Sequence, residues 1–170
     1  WMRIWSRPSR RPGIKRRSDS VRTVVRPLKV MTVLTHTLER RTDGDDHILD
    51  LTAELQTLVC ESGIGVGQLT AMVVGSTAAL TTLEFEPGLV GHDVAAALER
   101  IAPRAGAYEH EKMWHDDNGH SHVRAALIGP SLALPIVDGA LPLGTWQQVV
   151  LVDLDTRPRK RRVVVSLVGE

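Results

Sequence analysis

The chain has a single cysteine, Cys60, among its 170 residues. That excludes an internal disulfide framework and points to an intracellular, cytoplasmic protein. No apolar run approaches the roughly 20 residues that a bilayer span needs, which excludes a membrane helix. No secretory leader with an apolar centre is present, which argues against export. The motif His-Glu-x-x-His is absent, and no Cys-x-x-Cys pair exists to complete a structural zinc site. Closely spaced glycines occur at Gly63, Gly65 and Gly67. They follow a helical pattern, whereas the dinucleotide fingerprint requires a strand first. Cys60 itself falls in that amphipathic pattern, which predicts a buried structural thiol.

Acidic residues are also scarce at one end. Of 21 basic and 20 acidic residues, ten and one lie within residues 1–30, which leaves eleven and nineteen in residues 31–170, a net of −8. Residues 1–30 are rich in Arg, Pro and Ser without sustained periodicity, so they are expected to stand outside the core as a basic disordered leader. Three readings of this leader compete. Clustered arginines suit an RNA- or DNA-binding arm. An Arg-rich, acid-poor start is like an organellar transit peptide. A start at Met31 or Val30, with upstream nucleotides translated in error, accounts for a chain that opens on Trp1, and is favoured. The remainder, 42% hydrophobic over the whole chain, is expected to form one soluble domain over 31–170.

Periodicity sketches that domain. Residues 30–40 are rich in β-branched side chains and read as a strand. Ile48, Leu51, Leu55, Leu58 and Val59 follow helical spacing up to Gly63. Gln68 to Phe85 is a long β-type run that Pro87-Gly88 ends. Val94, Ala97, Leu98 and Ile101 mark a second helix over 93–101. Residues 104–119 read as a loop, and His122 to Ile128 fits a short helix or a strand. Leu132–Val137, the turn Asp138-Gly139 and Ala140–Leu143 predict a hairpin. Residues 146–154 and 162–168 are the last strands, joined by a basic turn. Two main helices with strands clustered late predict an α+β fold with a mostly antiparallel sheet.

The densest chemistry lies between Glu109 and His122. Four histidines (His110, His115, His120, His122) fall within thirteen residues, with Glu111, Asp116, Asp117 and Asn118 among them. Imidazole and carboxylate are ligands for a divalent metal, and His is the natural acid or base near neutral pH. The same residues also suit a solvated polar loop. His120 and His122 share a face only in an extended chain, because on a helix they diverge by about 200°. Elsewhere, Ser76-Thr77 beside Gly75 suits either a phosphate or a satisfied strand edge. Glu84 suits a strand end in water or a carboxylate aimed into a cleft. Five basic residues between Arg157 and Arg162 read as a solvated hairpin tip.

The segments Gly129-Pro130-Ser131, Gly144-Thr145-Trp146-Gln147-Gln148 and Val164 to Glu170 resemble the YjbQ-like family, often labelled secondary thiamine-phosphate synthase. Ser76-Thr77-Ala78-Ala79 with Glu84 adds a second block, so the resemblance covers residues 31–170. It implies a compact α+β subunit with a twisted, mostly antiparallel β-sheet sandwich, assembling into a homotrimer. It implies a cleft near a subunit boundary that gathers His110, Asp117, Asn118 and His122, with Ser76, Thr77 and Glu84 as companions. Such a pocket suits a divalent metal (Mg²⁺ or Zn²⁺, on His110, His122 and Asp117) or an anion such as phosphate. The chain departs from the family at Gly75, where many members carry His. A role for that His would pass to His115 or His120, or the activity would differ. Gly144-Thr145-Trp146-Gln147 is expected to be architectural, with Trp146 as a core anchor.

The activity that the resemblance implies joins hydroxymethylpyrimidine pyrophosphate to thiazole phosphate at a low level. His110, His122, Asp117 and Glu84 are its candidate catalytic groups. Ser76, Thr77, Asn118 and Arg124 are its candidate substrate or phosphate contacts, although Arg124 also suits a simple pairing with an acid. The alternative is a non-catalytic trimer that binds a metal or a phosphorylated metabolite. The core's negative charge argues against nucleic acid as partner.

Overall fold

The computed structural model describes residues 30–170; the basic leader lies outside the described residues, apart from Val30. Seven strands and four helices follow in the order β1 (Thr32–Thr42), β2 (His47–Asp50), α1 (Thr52–Ser62), β3 (Val66–Val74), β4 (Ala78–Leu83), α2 (Val94–Ile101), α3 (Glu109–Trp114), α4 (Gly119–Ile128), β5 (Ser131–Val137), β6 (Gln148–Asp153) and β7 (Arg159–Gly169). A π-helical turn, Leu89–Asp93, leads into α2. All pairings are antiparallel. They form a four-stranded sheet ordered β1-β7-β3-β5 and a three-stranded sheet ordered β2-β6-β4. The fold is α+β, as the sequence predicts.

The two sheets and the helices make three layers. Leu69, Val73, Val163, Val165 and Leu167 from the large sheet meet Leu80, Val149 and Leu151 from the small one, and α1 adds Leu55 and Val59. On the other side of the small sheet, Ile48, Ala79, Val150 and Val152 meet Leu98 of α2 and Ala125 of α4. Strand β6 is therefore sandwiched, and Val149 to Val152 are all fully buried. A strand covered on both faces has no polar side to alternate with. Each such side chain contributes about 1.5–3 kcal/mol.

Several expectations are corrected. The helix expected from Ile48 begins at Thr52, because Ile48 pairs with Val152 in β2. Asp50 then accepts the Thr52 N–H at 2.8 Å, supplying a carboxylate to the helix start. The long run 68–85 is two strands in different sheets, broken at Gly75, where φ is +142°. The supposed loop 104–119 contains α3, and 119–128 is helical. Beyond Asp138-Gly139 only a single bridge, Val137 to Ala140, forms, and Pro142 follows. Cys60 is an exposed free thiol on the outer face of α1, not a buried one. Trp146 is 71% exposed in the single chain and anchors no core. Its neighbours do hold the segment: Gln147 accepts from Gly144 N–H and donates to Thr82, and Gln148 accepts from Phe85 N–H.

Candidate functional site

Two short helices and one turn build the site. α3 carries His110 and α4 carries His122, and the loop between them carries Asp116 and Asn118. Glu111 closes that loop: its carboxylate accepts the Asp117 N–H at 2.7 Å and the Gly119 N–H at 2.6 Å. Gly119 is required there, since a Cβ would stand 2.6 Å from Tyr108 Cβ and 2.8 Å from the Glu111 carboxylate. The result brings the His110 and His122 rings to 4.5 Å between centroids, tilted by 47°. Asp116 Oδ1 lies 3.4 Å from His110 Nε2.

Three buried polar atoms here lack a hydrogen-bond partner: His110 Nε2, Asp116 Oδ1 and Asn118 Oδ1. Unsatisfied buried groups are rare in folded proteins and costly to keep. Asn118 occupies the N-cap position of α4, a place where Asn ordinarily bonds the first helical amides, yet its side chain makes no such bond. His122 lies one turn beyond Asn118 and faces a groove of about 330 Å³. Gly75 and Ser76 form the opposite wall, and Ala78, Ala125 and Ala126 supply a small, apolar floor.

A paired network lies beneath the Gly75–Thr77 turn. Thr77, 5% exposed, donates to Asp155 at 2.8 Å and accepts from Arg161 at 2.9 Å. Arg159 donates to Asp155 at 2.9 Å. Burial alone would raise the Asp155 carboxyl pKa, but hydrogen bonds from Arg159 and Thr77 and the charge of Arg161 hold it below the usual range. The Arg159 guanidinium is correspondingly favoured in its charged form by Asp155, with Asp153 and Asp116 adding to the field. A second cleft, of about 350 Å³, runs between Arg41–Asp43 and Pro158–Lys160. Of its three cations, Arg159 and Lys160 are already paired, with Asp155 and Glu39.

The predicted residues divide. His122 and Ser76 line the groove, His110 packs its ring against His122 behind it, Asn118 is buried at the start of α4, and Thr77 is buried next to Ser76. Asp117 is exposed with φ +57°, and the carboxylate within ionic reach of His110 is its neighbour Asp116. Glu84 is exposed past the end of β4 and lines a different cleft with Asp50, Phe85 and Trp146. Arg124 is fully buried and turned away from the groove: it donates to Asp46 at 2.9 and 3.1 Å, to Glu99 at 2.6 Å and to Ala102 O at 2.9 Å. The acid-pairing reading describes it. His115 is an exposed left-handed cap of α3, and His120 is buried against Tyr108. Asp155 had no local sequence signal; Asp116 was one of several clustered acids and Arg161 one of five hairpin cations, and tertiary pairing alone singles them out.

The donor types around His110 suit a divalent ion, and the orphaned Nε2 and Oδ1 atoms are of the right chemistry. No three His, Cys, Asp or Glu side chains among the described residues stand as a ready ligand shell. None of the described helices is long and apolar enough to cross a membrane.

Comparison with known proteins agrees across sequence and structure. A family model described as UPF0047 protein YjbQ-like matches residues 36–170. A UPF0047 protein of Methanothermobacter thermautotrophicus is 36% identical over 140 residues, spanning 82% of this chain and 95% of the relative. YjbQ of Escherichia coli O157:H7 is 33% identical over 107 residues, 63% of this chain and 77% of its own. Among solved structures, a YbjQ-like protein of unknown function from Sulfolobus solfataricus P2 superposes with a TM-score of 0.78 at 30% identity, covering 83% of this chain and all of its own (100%). A Clostridium acetobutylicum protein of the yjbq/upf0047 family gives 0.68 at 32% identity, covering 79% of this chain and 98% of its own.

Proposed function

The chain belongs to the UPF0047 YjbQ-like family, and we propose that its groove binds a small phosphorylated metabolite and acts as a low-level transferase of the thiamine-phosphate synthase type. The observation that carries this reading is the His110–His122 pair. Two imidazoles stand at 4.5 Å, His122 lines a groove that Ser76 also lines, and buried polar atoms without a hydrogen bond lie beside the pair.

In the reaction, the bond from the pyrimidine methylene carbon to the pyrophosphate oxygen breaks. Its electron pair leaves with pyrophosphate, and a bond forms from that carbon to the thiazole ring nitrogen. No proton needs to be removed, so the protein's task is to stabilise the departing charge and exclude water. His122 offers a ring N–H to the leaving oxygens, and His110 packs against its ring. Ser76 contributes a hydroxyl donor from the opposite wall, and the alanine floor offers water no hydrogen bonds. A divalent ion, Mg²⁺ or Zn²⁺, would neutralise pyrophosphate charge when bound, but His110, His122 and Asp116 would have to converge to hold it, since they do not stand as a ready ligand shell. His110, His122 and Asp116 thus take the roles that the resemblance implied for His110, His122 and Asp117; Glu84 and Arg124 stand outside the reading.

A homotrimer in the cytoplasm is the assembly we infer. The outer face of the large sheet supports it: Thr35, Ser166, Thr70 and Ala133 form one row across all four strands, and Thr37, Val164, Met72 and Ser131 the next. These uncharged rows, bordered by Glu39 and Arg162 at one end, suit contact with another subunit.

The test is turnover of the two phosphorylated precursors by the unsubstituted chain and by His110→Ala and His122→Ala. Each variant is expected to lose product formation by 100-fold or more, the order of an acid or electrostatic group, while its oligomer stays intact. Full activity in both variants contradicts the assignment. Tight binding of precursor without turnover by the unsubstituted chain would establish the non-catalytic binding protein instead.

A further inference from the structure

Arg161 lies beneath the β3–β4 turn with its side chain 7% exposed. Its Nε and Nη2 donate to the two oxygens of Asp153 at 2.7 and 2.6 Å. Nη2 also donates to Thr77 Oγ1 at 2.9 Å and to Thr77 O at 3.2 Å. Thr42 donates to the same Asp153 carboxylate and holds it in place. One edge of the guanidinium is therefore fully engaged. The remaining nitrogen, Nη1, makes no hydrogen bond to any described residue, although a guanidinium carries five N–H donors.

That free nitrogen faces Gly75. A Cβ at position 75 would stand 3.1 Å from Nη1 and, chain neighbours aside, would meet nothing else within 4 Å. Gly75 has φ +142°, a conformation that side-chain-bearing residues rarely adopt, so the turn itself demands glycine. The missing side chain leaves a notch, and Gly75 and Ser76 also wall the groove opposite His122.

We infer that Arg161 is an anion-binding residue of this groove: through the notch at Gly75, Nη1 donates to a phosphate or pyrophosphate oxygen of a ligand seated between Ser76 and His122. The inference rests on the proposed function of the groove and adds the donor that selects phosphorylated ligands. Asp153 offsets the charge that would make a lone buried guanidinium costly. Its two bonds also fix the plane of the guanidinium, so the free donors are pre-organised before a ligand arrives. A glycine at a turn and an arginine 86 positions later in the chain thus act as one device, a window with a donor behind it.

Calorimetric titration with inorganic pyrophosphate tests this on the full chain and on three variants. Arg161→Lys keeps a positive charge but cannot span both Asp153 and the notch. Gly75→Ala fills the notch without touching the Arg161–Asp153 pair directly, at the cost of strain in a turn whose φ is +142°. Each is expected to weaken pyrophosphate binding by roughly tenfold or more, the worth of one charge-assisted hydrogen bond. Thermal melts report whether each variant is folded, and whichever of the two keeps the melt of the unsubstituted chain decides the matter. Unchanged affinity in both, with affinity lost in His122→Ala, overturns the role of Arg161 and keeps the groove. Absence of pyrophosphate binding by the unsubstituted chain overturns the groove reading, and the role of Arg161 with it.

Discussion

His120 and His122 are two residues apart and live in opposite worlds. His122 faces the groove, while His120 is 4% exposed inside the helical layer. Burial, then the positive fields of Arg124 and Arg104, hold the His120 imidazole below the usual His range; Asp46 and Asp117 oppose this without overcoming it. The unfolded chain therefore binds a proton at His120 more readily than the folded one, and stability rises with pH wherever that difference operates. The protein is expected to lose stability as pH falls below about 6.5, the unperturbed His value. His120→Gln should flatten this slope, which thermal melts between neutral and mildly acidic pH would read; an unchanged slope contradicts the account. Residue chemistry made the clustered histidines and Ser76 legible as candidates, and the family resemblance singled out His110, His122 and Asn118 among them. It could not choose Asp116 over Asp117, because loop closure by Glu111 turns one carboxylate toward His110 and leaves the other outside. Arg161 was hidden for the same reason: a basic hairpin in sequence gives no sign that one of its arginines is buried under a turn.

At the scale of elements, the candidate site depends on how α3 and α4 are tied together. Two backbone amides of their loop bond the Glu111 carboxylate, and such bonds to a charged acceptor contribute about 1.5–3 kcal/mol each. Glu111→Ala should speed hydrogen exchange at the Asp117 and Gly119 amides by roughly tenfold or more, and should lower turnover with it. Unchanged exchange would contradict that role. Strands β1 and β7 were readable from sequence because each alternates one covered side with one outer side. Strand β2 was not: Ile48 continues the spacing of Leu51 and Leu55, and only pairing with β6 makes it extended. α3 was invisible because its six residues bury no side chain fully, so no periodic stripe exists to detect.

The whole molecule is a two-sheet sandwich with α2 and α4 packed on the small sheet and an outer face of the large sheet whose central rows are uncharged. If that face joins subunits, a charge at its centre breaks the assembly. Thr70 pairs with both Ser166 and Ala133, so Thr70→Arg should reduce the trimer to monomers in light scattering while keeping the circular dichroism of the fold. A trimer that persists places the interface elsewhere. The most direct test of the central claim uses the seven histidines as reporters. Imidazole resonances would be followed by NMR as inorganic pyrophosphate is titrated into the full chain. The account predicts that His110 and His122 shift together and saturate, while the remote His36, His47 and His92 stay still. Saturable binding that leaves His110 and His122 unmoved would contradict it.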